Sequence, residues 1–129
     1  GTRDATLIIT WLMRVDAMGT NTVTVEDIGR ALAPVLKQGG AKRAILFGSY
    51  ALGEADEWSD IDLLIVAESG RPFIERFKDF SGLRQLSPVK AMDVLVYTPE
   101  EFRKMLDEEN PFIARALAEG RVIYEAGSA

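Results

Sequence analysis

The chain has 129 residues, of which 47% are hydrophobic and 27% charged, a balance typical of one soluble globular domain. It contains no cysteine and no histidine, which excludes disulfides, thiolate or imidazole metal sites and catalytic triads built on histidine. The net charge of -5 provides no broad attraction for nucleic acid or anionic membranes, and no apolar run is long enough to span a bilayer. We therefore expect a cytoplasmic domain whose acid, base or metal chemistry depends on Asp, Glu, Lys, Tyr or backbone groups.

Two helices are predicted in the first part of the chain. Residues 5 to 18 are apolar on almost every side, and we favour a helix there, although their β-branched residues leave a strand open. Such an element could pack against its own core or against another chain. Thr24, followed three residues later by Asp27, predicts the start of a second helix that ends at Gly39 and Gly40. Its apolar residues recur at helical spacing: Ile28, Leu32, Val35 and Leu36.

Four short apolar runs predict β-strands. They are Arg43–Phe47, Ile61–Val66, Lys90–Thr98 and Arg121–Glu125. The second run is apolar on both faces, which is typical of a central strand.

Proline residues predict three helix starts in the second part of the chain. Pro72 falls at the first turn of a helix with a weak point at Ser81 and Gly82. The apolar stripe of this helix consists of Phe73, Phe77, Phe80 and Leu83. Thr98-Pro99 and Asn110-Pro111 each place a capping residue before a proline, and Gly120 ends the last helix. The alternation of helices and strands predicts an α/β domain with an open sheet.

Three aspartates predict a metal site. Asp60 and Asp62 open the second strand with one residue between them, so both carboxylates point to the same face. Two like charges this close either raise one pKa or hold a cation between them. Asp93 is the only charged residue within AMDVLVY, and it joins them if its strand lies beside the second. The three acids would then form a cup for one or two Mg²⁺ ions, suited to phosphoryl or nucleotidyl transfer, with an aspartate as base.

Gly48 and Ser49, which follow the first strand, predict a phosphate contact. A glycine lets the backbone approach a ligand, a serine hydroxyl donates to phosphate, and a short helix over Tyr50–Leu52 would present N–H groups to an anion. Simpler explanations exist: an ordinary turn, Ser49 as a helix cap, a chance Asp pair in a solvated turn, or Asp93 as an edge charge against aggregation. The combination is harder to obtain by chance than any of its parts.

The stretch FGSYALGEADEWSDIDLLIV, Phe47 to Val66, resembles the signature of the DNA polymerase β-type nucleotidyltransferase superfamily, and its spacing is similar to that of the minimal nucleotidyltransferases. The similarity extends from about Val25 to Glu125. It implies a single nucleotidyltransferase domain over residues 1–129, with a core at 25–125 and an N-terminal extension at 1–24. The implied fold is α+β, a small mixed sheet flanked by helices.

The resemblance also implies roles for individual residues. It assigns metal binding to Asp60 and Asp62, metal binding plus activation of the acceptor hydroxyl to Asp93, and triphosphate contact to Gly48 and Ser49. The chain departs from many relatives at one position, since Leu52 stands where they have an arginine.

Small stand-alone members of the superfamily resemble antitoxins that transfer AMP to a tyrosine of HEPN-domain toxins. Antibiotic nucleotidyltransferases usually carry a second domain that binds the small-molecule acceptor. We expect this chain to be too short for such a domain, which favours a protein acceptor. The resemblance thus implies a Mg²⁺-dependent transfer of NMP, with AMP expected, from ATP or another nucleoside triphosphate to a hydroxyl on a partner protein such as a HEPN-domain toxin. The alternative is a binding module that neutralises its partner by contact alone. The three acids favour the enzyme, whereas Leu52 and the apolar N-terminus favour the binder. The base, the acceptor and a homo-oligomeric state stay open.

Overall fold

The computed structural model describes residues 24–56, 59–84 and 92–127. Its four β-strands are β1 at Arg43–Phe47, β2 at Ile61–Val66, β3 at Met92–Tyr97 and β4 at Arg121–Glu125. They form one sheet in the order β3-β2-β1-β4, in which β2 and β3 are parallel and the other neighbours antiparallel. The predicted strands and the central place of β2 are therefore confirmed, and the sheet is mixed.

Five α-helices and one 3₁₀ helix surround this sheet within the described residues. The α-helices are α1 at Val25–Gln38, α2 at Ser49–Leu52, α3 at Ser81–Arg84, α4 at Pro99–Asp107 and α5 at Pro111–Glu119. The 3₁₀ helix covers Phe73–Phe80. The α/β class, with a small mixed sheet flanked by helices, is thus confirmed.

Side-chain caps fix the starts of the long helices as the sequence predicted. Thr24 Oγ1 accepts a hydrogen bond from the Asp27 N–H at 3.0 Å, and the Asp27 carboxylate accepts one from the Thr24 N–H at 3.2 Å. Thr98 and Glu101 form the same reciprocal pair at the start of α4. At the start of α5, Asn110 Oδ1 accepts from two backbone N–H groups. Local polar chemistry therefore sets where α1, α4 and α5 begin.

The segment after Pro72 differs from the continuous helix that the sequence predicted. It winds as a 3₁₀ helix up to Phe80 and continues as the short α3 from Ser81, the predicted weak point. Phe77, Phe80 and Leu83 recur every three residues, which is the period of a 3₁₀ helix. Phe80 and Leu83 are buried, whereas Phe73 lies outside that spacing and is 41% exposed.

Each face of the sheet is covered by helices. On one face α1, the 3₁₀ helix and α3 bury a core that includes Leu32, Leu36, Leu46, Leu63, Ile65 and Phe80. On the other face α4 and α5 bury Ile45, Leu64, Val66, Phe102, Ile113 and Ala116. Full burial of one such side chain contributes about 1.5 to 3 kcal/mol, so both layers hold the sheet in place.

Some predictions concern residues that the structure does not describe. The helix predicted over residues 5 to 18 lies outside the described ranges, and so do Lys90 and Ala91 of the third predicted strand. Within the described ranges, none of the helices has the length and apolar character needed to cross a membrane.

Candidate active site

Strand pairing brings two of the three predicted acids together. In the parallel ladder of β2 and β3, Asp62 is directly opposite Asp93, as the sequence required for a shared site. Residues opposite each other in a ladder share a face of the sheet, so both carboxyls lie on the face that α4 and α5 cover. Asp62 is partly buried at the start of β2, whereas Asp93 is solvent-exposed at the start of β3.

The surroundings of Asp62 disfavour the ionised form of its carboxyl group. The pKa of its carboxyl is raised from 3.8 to about 6, mainly by burial and then by the charge of Asp93, by a hydrogen bond shared with Asp93 when one carboxyl is protonated, and by the charge of Asp60. A carboxyl with this pKa keeps its proton up to about pH 6, and a cation nearby would favour its ionised form. The predicted electrostatic cost of the Asp cluster is therefore present at Asp62.

Gly48 leads the chain from β1 to α2 in a conformation that only glycine adopts readily. Its φ of 75° and ψ of -156° lie in a region closed to other residues by steric clash. A Cβ atom at this position would also collide with Asp62 Oδ2. The backbone can thus approach the Asp62 carboxyl only because residue 48 has no side chain.

Ser49 is the first residue of α2, and Gly48 occupies the N-cap position. The alternative in which Ser49 caps the helix is therefore not what the structure shows. The helix stops after one turn, because Gly53 adopts the left-handed conformation with φ of 73° and donates its N–H to the Ser49 carbonyl. The Ser49 side chain lines a cleft together with Gly48 and Asp62.

Asp60 is exposed and directly precedes β2. It follows a turn in which Ser59 Oγ accepts from the Asp56 N–H at 2.9 Å. Asp60 acts on Asp62 through its charge, but in the described part of the chain no three acidic residues are arranged as a group that could hold a metal ion. The donors are all carboxylate oxygens, the type that Mg²⁺ prefers, and a cation would relieve the repulsion at Asp62. The residue types therefore fit Mg²⁺, while the converging three-acid cup stays a prediction.

A cleft of about 340 Å³ lies above the sheet at this end. One wall is formed by Phe47, Gly48, Ser49, Leu52, Glu54 and Asp62. The other wall is formed by α5, with the exposed residues Phe112, Arg115 and Glu119 and the buried Ala116. The Phe47 and Phe112 rings meet edge to face across the cleft, with their centroids 5.5 Å apart.

The contribution of α5 to the cleft was not predicted from the sequence. The start and end of this helix were predicted, but none of its residues was expected in the site. Ile113 and Ala116 are buried against the sheet, which turns Phe112, Arg115 and Glu119 toward the cleft. The spacing of 112, 115 and 119 is that of one helix face, and this periodicity was the available signal.

Comparisons with known proteins agree with this geometry. The family described as Nucleotidyltransferase domain matches residues 30–124. The putative protein adenylyltransferase MJ0435 of Methanocaldococcus jannaschii is 36% identical over 75 residues, which are 58% of this chain and 80% of that protein. The putative protein adenylyltransferase MJ0604 of the same organism is 36% identical over 87 residues, which are 67% of this chain and 82% of that protein.

A crystal structure described as the toxin-antitoxin with AMP-PNP has a similar fold, with a TM-score of 0.50 and 19% identity, covering 73% of this chain and 70% of that chain. At this identity the likeness concerns the fold alone. The chain belongs to the nucleotidyltransferase domain family, and it is a nucleotidyltransferase enzyme. The predicted resemblance is thereby confirmed.

Proposed function

We propose that this enzyme transfers an NMP group, specifically AMP, from a nucleoside triphosphate to a hydroxyl group on a partner protein. The observation that carries this proposal is the position of Asp62, which lines one cleft with Gly48 and Ser49 and lies opposite Asp93 in the strand ladder. The names of the two archaeal relatives support a protein acceptor and the adenylyl group. The fold shared with a structure described as the toxin-antitoxin with AMP-PNP supports the narrower proposal that the chain is an antitoxin. The sequence resemblance adds a HEPN-type toxin as partner, and the composition adds a cytoplasmic location.

The proposed site uses Mg²⁺ as cofactor, held by Asp60, Asp62 and Asp93 as one or two ions. When bound, Mg²⁺ neutralises triphosphate charge and makes the acceptor hydroxyl more acidic. Gly48 and Ser49 contribute to the other half of the site, because the glycine admits backbone close to the ligand and the Ser49 hydroxyl donates to phosphate oxygens. The nucleoside base and sugar would then occupy the rest of the cleft, where the Phe112 ring forms part of the lining.

The reaction follows from these positions. The acceptor oxygen forms a bond to the α-phosphorus, and the bond from that phosphorus to the oxygen bridging to the β-phosphate breaks. Pyrophosphate leaves with the electron pair, and the hydroxyl proton moves to the Asp93 carboxylate, which acts as general base. Asp93 suits this role because it is exposed at the start of β3 and lies directly opposite Asp62 in the strand ladder. The products are the AMP ester of the partner and pyrophosphate.

A second candidate function is a binding module that neutralises its partner by contact. The observation in its favour is exposed apolar surface beside the cleft, since Leu52 is 47% exposed and Phe112 and Leu117 are each 38% exposed. Such a surface suits a protein interface without requiring any carboxylate. The two candidates therefore differ in whether neutralisation depends on Asp93.

The test uses a HEPN-domain toxin as acceptor and Asp93→Asn as the matched variant. Wild type and variant are incubated with that protein, Mg²⁺ and each of the four common nucleoside triphosphates, and the acceptor is measured by intact mass spectrometry. We expect a gain of one or more AMP units with wild type and ATP, and a rate at least 100-fold lower with Asp93→Asn, as for loss of a general base. No adduct with wild type, together with full neutralisation by the variant, would reject the transferase proposal in favour of the binding module.

A further inference from the structure

Arg115 is the one cationic side chain among the described residues that line the cleft. It projects from α5 across from Ser49, and the acids that share the cleft with it are Glu54, Asp62 and Glu119. A triphosphate brings several negative charges into this space. Without Arg115 the described lining would offer these charges no protein cation at all.

The backbone of Arg115 is fixed by the packing of α5, whereas its side chain can change conformation. The buried side chains of Ile113 and Ala116 fix α5 on the sheet, so the helix backbone that carries Arg115 is anchored. The Arg115 side chain itself is 77% exposed. Its guanidinium can therefore change partner without any movement of the fold.

The present partner of Arg115 is a weak one. Arg115 Nε donates a hydrogen bond to Glu119 Oε2 at 3.2 Å, one helical turn away, and the Glu119 side chain is 41% exposed. An exposed ion pair of this kind contributes little, because water screens it. Arginine binds phosphate with two parallel hydrogen bonds in a planar fork, which is a stronger and more directional contact. A phosphate in the cleft thus competes well with Glu119.

We propose that Arg115 leaves Glu119 and binds the triphosphate of the incoming nucleotide across the cleft from Ser49, while Glu119 competes for it in the empty enzyme. This inference rests on the proposed function for its substrate class. It adds a nucleotide-binding residue that lies 22 or more positions beyond each acid of the metal site in the chain. In this proposal Asp60, Asp62 and Asp93 hold the metal and activate the acceptor hydroxyl, whereas Arg115 positions the triphosphate.

The neighbouring Leu52 provides a rescue experiment. Its side chain is 47% exposed and lines the same cleft, so an arginine at this position brings a guanidinium to the same space without disturbing the core. Leu52→Arg combined with Arg115→Ala therefore tests whether a cation in the cleft, and not the Arg115 position itself, is what the nucleotide requires. Arg103→Ala is the matched control, because Arg103 is an exposed arginine on α4 that lines a different groove.

The test measures dissociation constants of the full chain by calorimetry, with AMP-PNP plus Mg²⁺ and with inorganic triphosphate as probes. We expect Arg115→Ala to weaken both about tenfold, Arg115→Lys to weaken them less, and Arg103→Ala to leave them unchanged. Glu119→Gln should tighten binding about twofold, and Leu52→Arg should restore most of the loss in Arg115→Ala. Thermal unfolding of each variant establishes that it is folded.

The outcomes separate this inference from the proposed function. If the wild type binds neither probe, both are wrong. If the wild type binds and Arg115→Ala binds equally well, only the role of Arg115 is wrong. If Glu119→Gln weakens binding as much as Arg115→Ala does, the ion pair is needed intact and the exchange of partners is rejected.

Discussion

Two pairs of ionisable side chains lie along β3, at opposite ends of the strand. At its start, Asp93 pairs with Asp62, two groups of like charge. Near its end, the Arg76 guanidinium donates hydrogen bonds to both carboxylate oxygens of Glu101, and Nη1 also donates to the Val96 carbonyl at 3.1 Å. Arg76 is only 8% exposed, so its charge is nearly buried. The same small domain thus contains one pair of like charge and one pair of opposite charge.

The difference distinguishes a pair that stabilises the fold from a pair whose electrostatic cost fits the proposed chemistry. Hydrogen bonding to Arg76 lowers the pKa of Glu101, so that pair favours the charged forms and stabilises the native state. At Asp62 the pKa is raised, so the folded state disfavours the charge that the site carries near neutral pH. A chain keeps such a cost where a ligand offsets it, which supports the proposal that the start of β3 is the functional end of the strand.

The largest expected effect on stability comes from a substitution at Gly48 that displaces the Asp62 carboxyl. Gly48→Ala adds a Cβ that collides with Asp62 Oδ2 in a backbone region closed to alanine. Gly53→Ala is the matched control, since Gly53 also has positive φ but nothing within 4 Å of the added atom. We expect Gly48→Ala to lower the free energy of unfolding by about 3 kcal/mol and Gly53→Ala by about 1 kcal/mol in urea titrations.

Activity sharpens the same contrast. Nucleotidyl transfer, followed as pyrophosphate release, should fall at least 100-fold in Gly48→Ala and change little in Gly53→Ala, because only the first displaces Asp62. Equal stability losses in the two variants would mean that the close approach to Asp62 has no energetic weight.

A smaller effect is expected from breaking the opposite-charge pair. Arg76→Met keeps most of the side-chain volume but removes the bonds to Glu101 and to the Val96 carbonyl. We expect a loss of about 2 kcal/mol in the free energy of unfolding, less than for a fully buried pair because the Glu101 side chain is 42% exposed and water can solvate it. Nucleotide affinity should not change.

The loss should also depend on pH. The pKa of Glu101 is lowered in the fold, so its stabilisation is present above the unfolded value of 4.5 and disappears as the pH falls through the folded value. Unfolding curves for wild type and Arg76→Met at pH 7 and pH 3 should therefore lie closer together at pH 3. A constant difference would assign the loss to packing alone.

The next effect concerns binding and not stability. Ser49→Ala removes the hydroxyl of a residue that lines the cleft and is not the cap of α2. We expect nucleotide binding to weaken by about 1.5 kcal/mol, the value of a charge-assisted hydrogen bond, with the melting temperature unchanged. Calorimetric titration with AMP-PNP and Mg²⁺ measures the first quantity, and thermal unfolding the second. A lower melting temperature with unchanged affinity would give Ser49 a structural role.

Local signals in the sequence account for much of this picture. Caps at Thr24, Thr98 and Asn110 and the apolar runs of the strands each act within a few residues, so the sequence displays them directly. The pairing of Asp62 with Asp93 could be stated only conditionally, because it depends on which strands are neighbours. The 3₁₀ winding after Pro72 was missed, since a helical stripe and a three-residue period overlap over so short a segment.

Other features depend on distant parts of the chain. Arg76 and Glu101 are 25 residues apart, and nothing near either one marks it as half of an ion pair. Arg115 belongs to the cleft only because Ile113 and Ala116 bury the other side of α5 against β1 and β2. Helix periodicity shows which residues share a face, but the packing partner decides whether that face lines a site.

The smallest expected effect is a gain in stability from removing charge at the functional end. In metal-free buffer, Asp62→Asn should be more stable than wild type at pH 8, because the folded pKa of Asp62 is about 6 against 3.8 for the free group, so wild type loses stability as pH rises through 6. The whole shift corresponds to about 3 kcal/mol, but the side chain is partly solvated, and screening reduces the expected gain to about 1 kcal/mol. At pH 4 the Asp62 carboxyl of the folded wild type is mostly protonated and therefore neutral, as the variant's amide is, so the gain should vanish.

Urea titrations at the two pH values measure the gain in the free energy of unfolding. The control is Glu68→Gln, which removes an exposed carboxylate in a loop. A gain of equal size at pH 4 and pH 8, or one that Glu68→Gln reproduces, would mean that the Asp62 carboxyl carries no electrostatic cost and that the two ends of β3 do not differ as their geometry indicates.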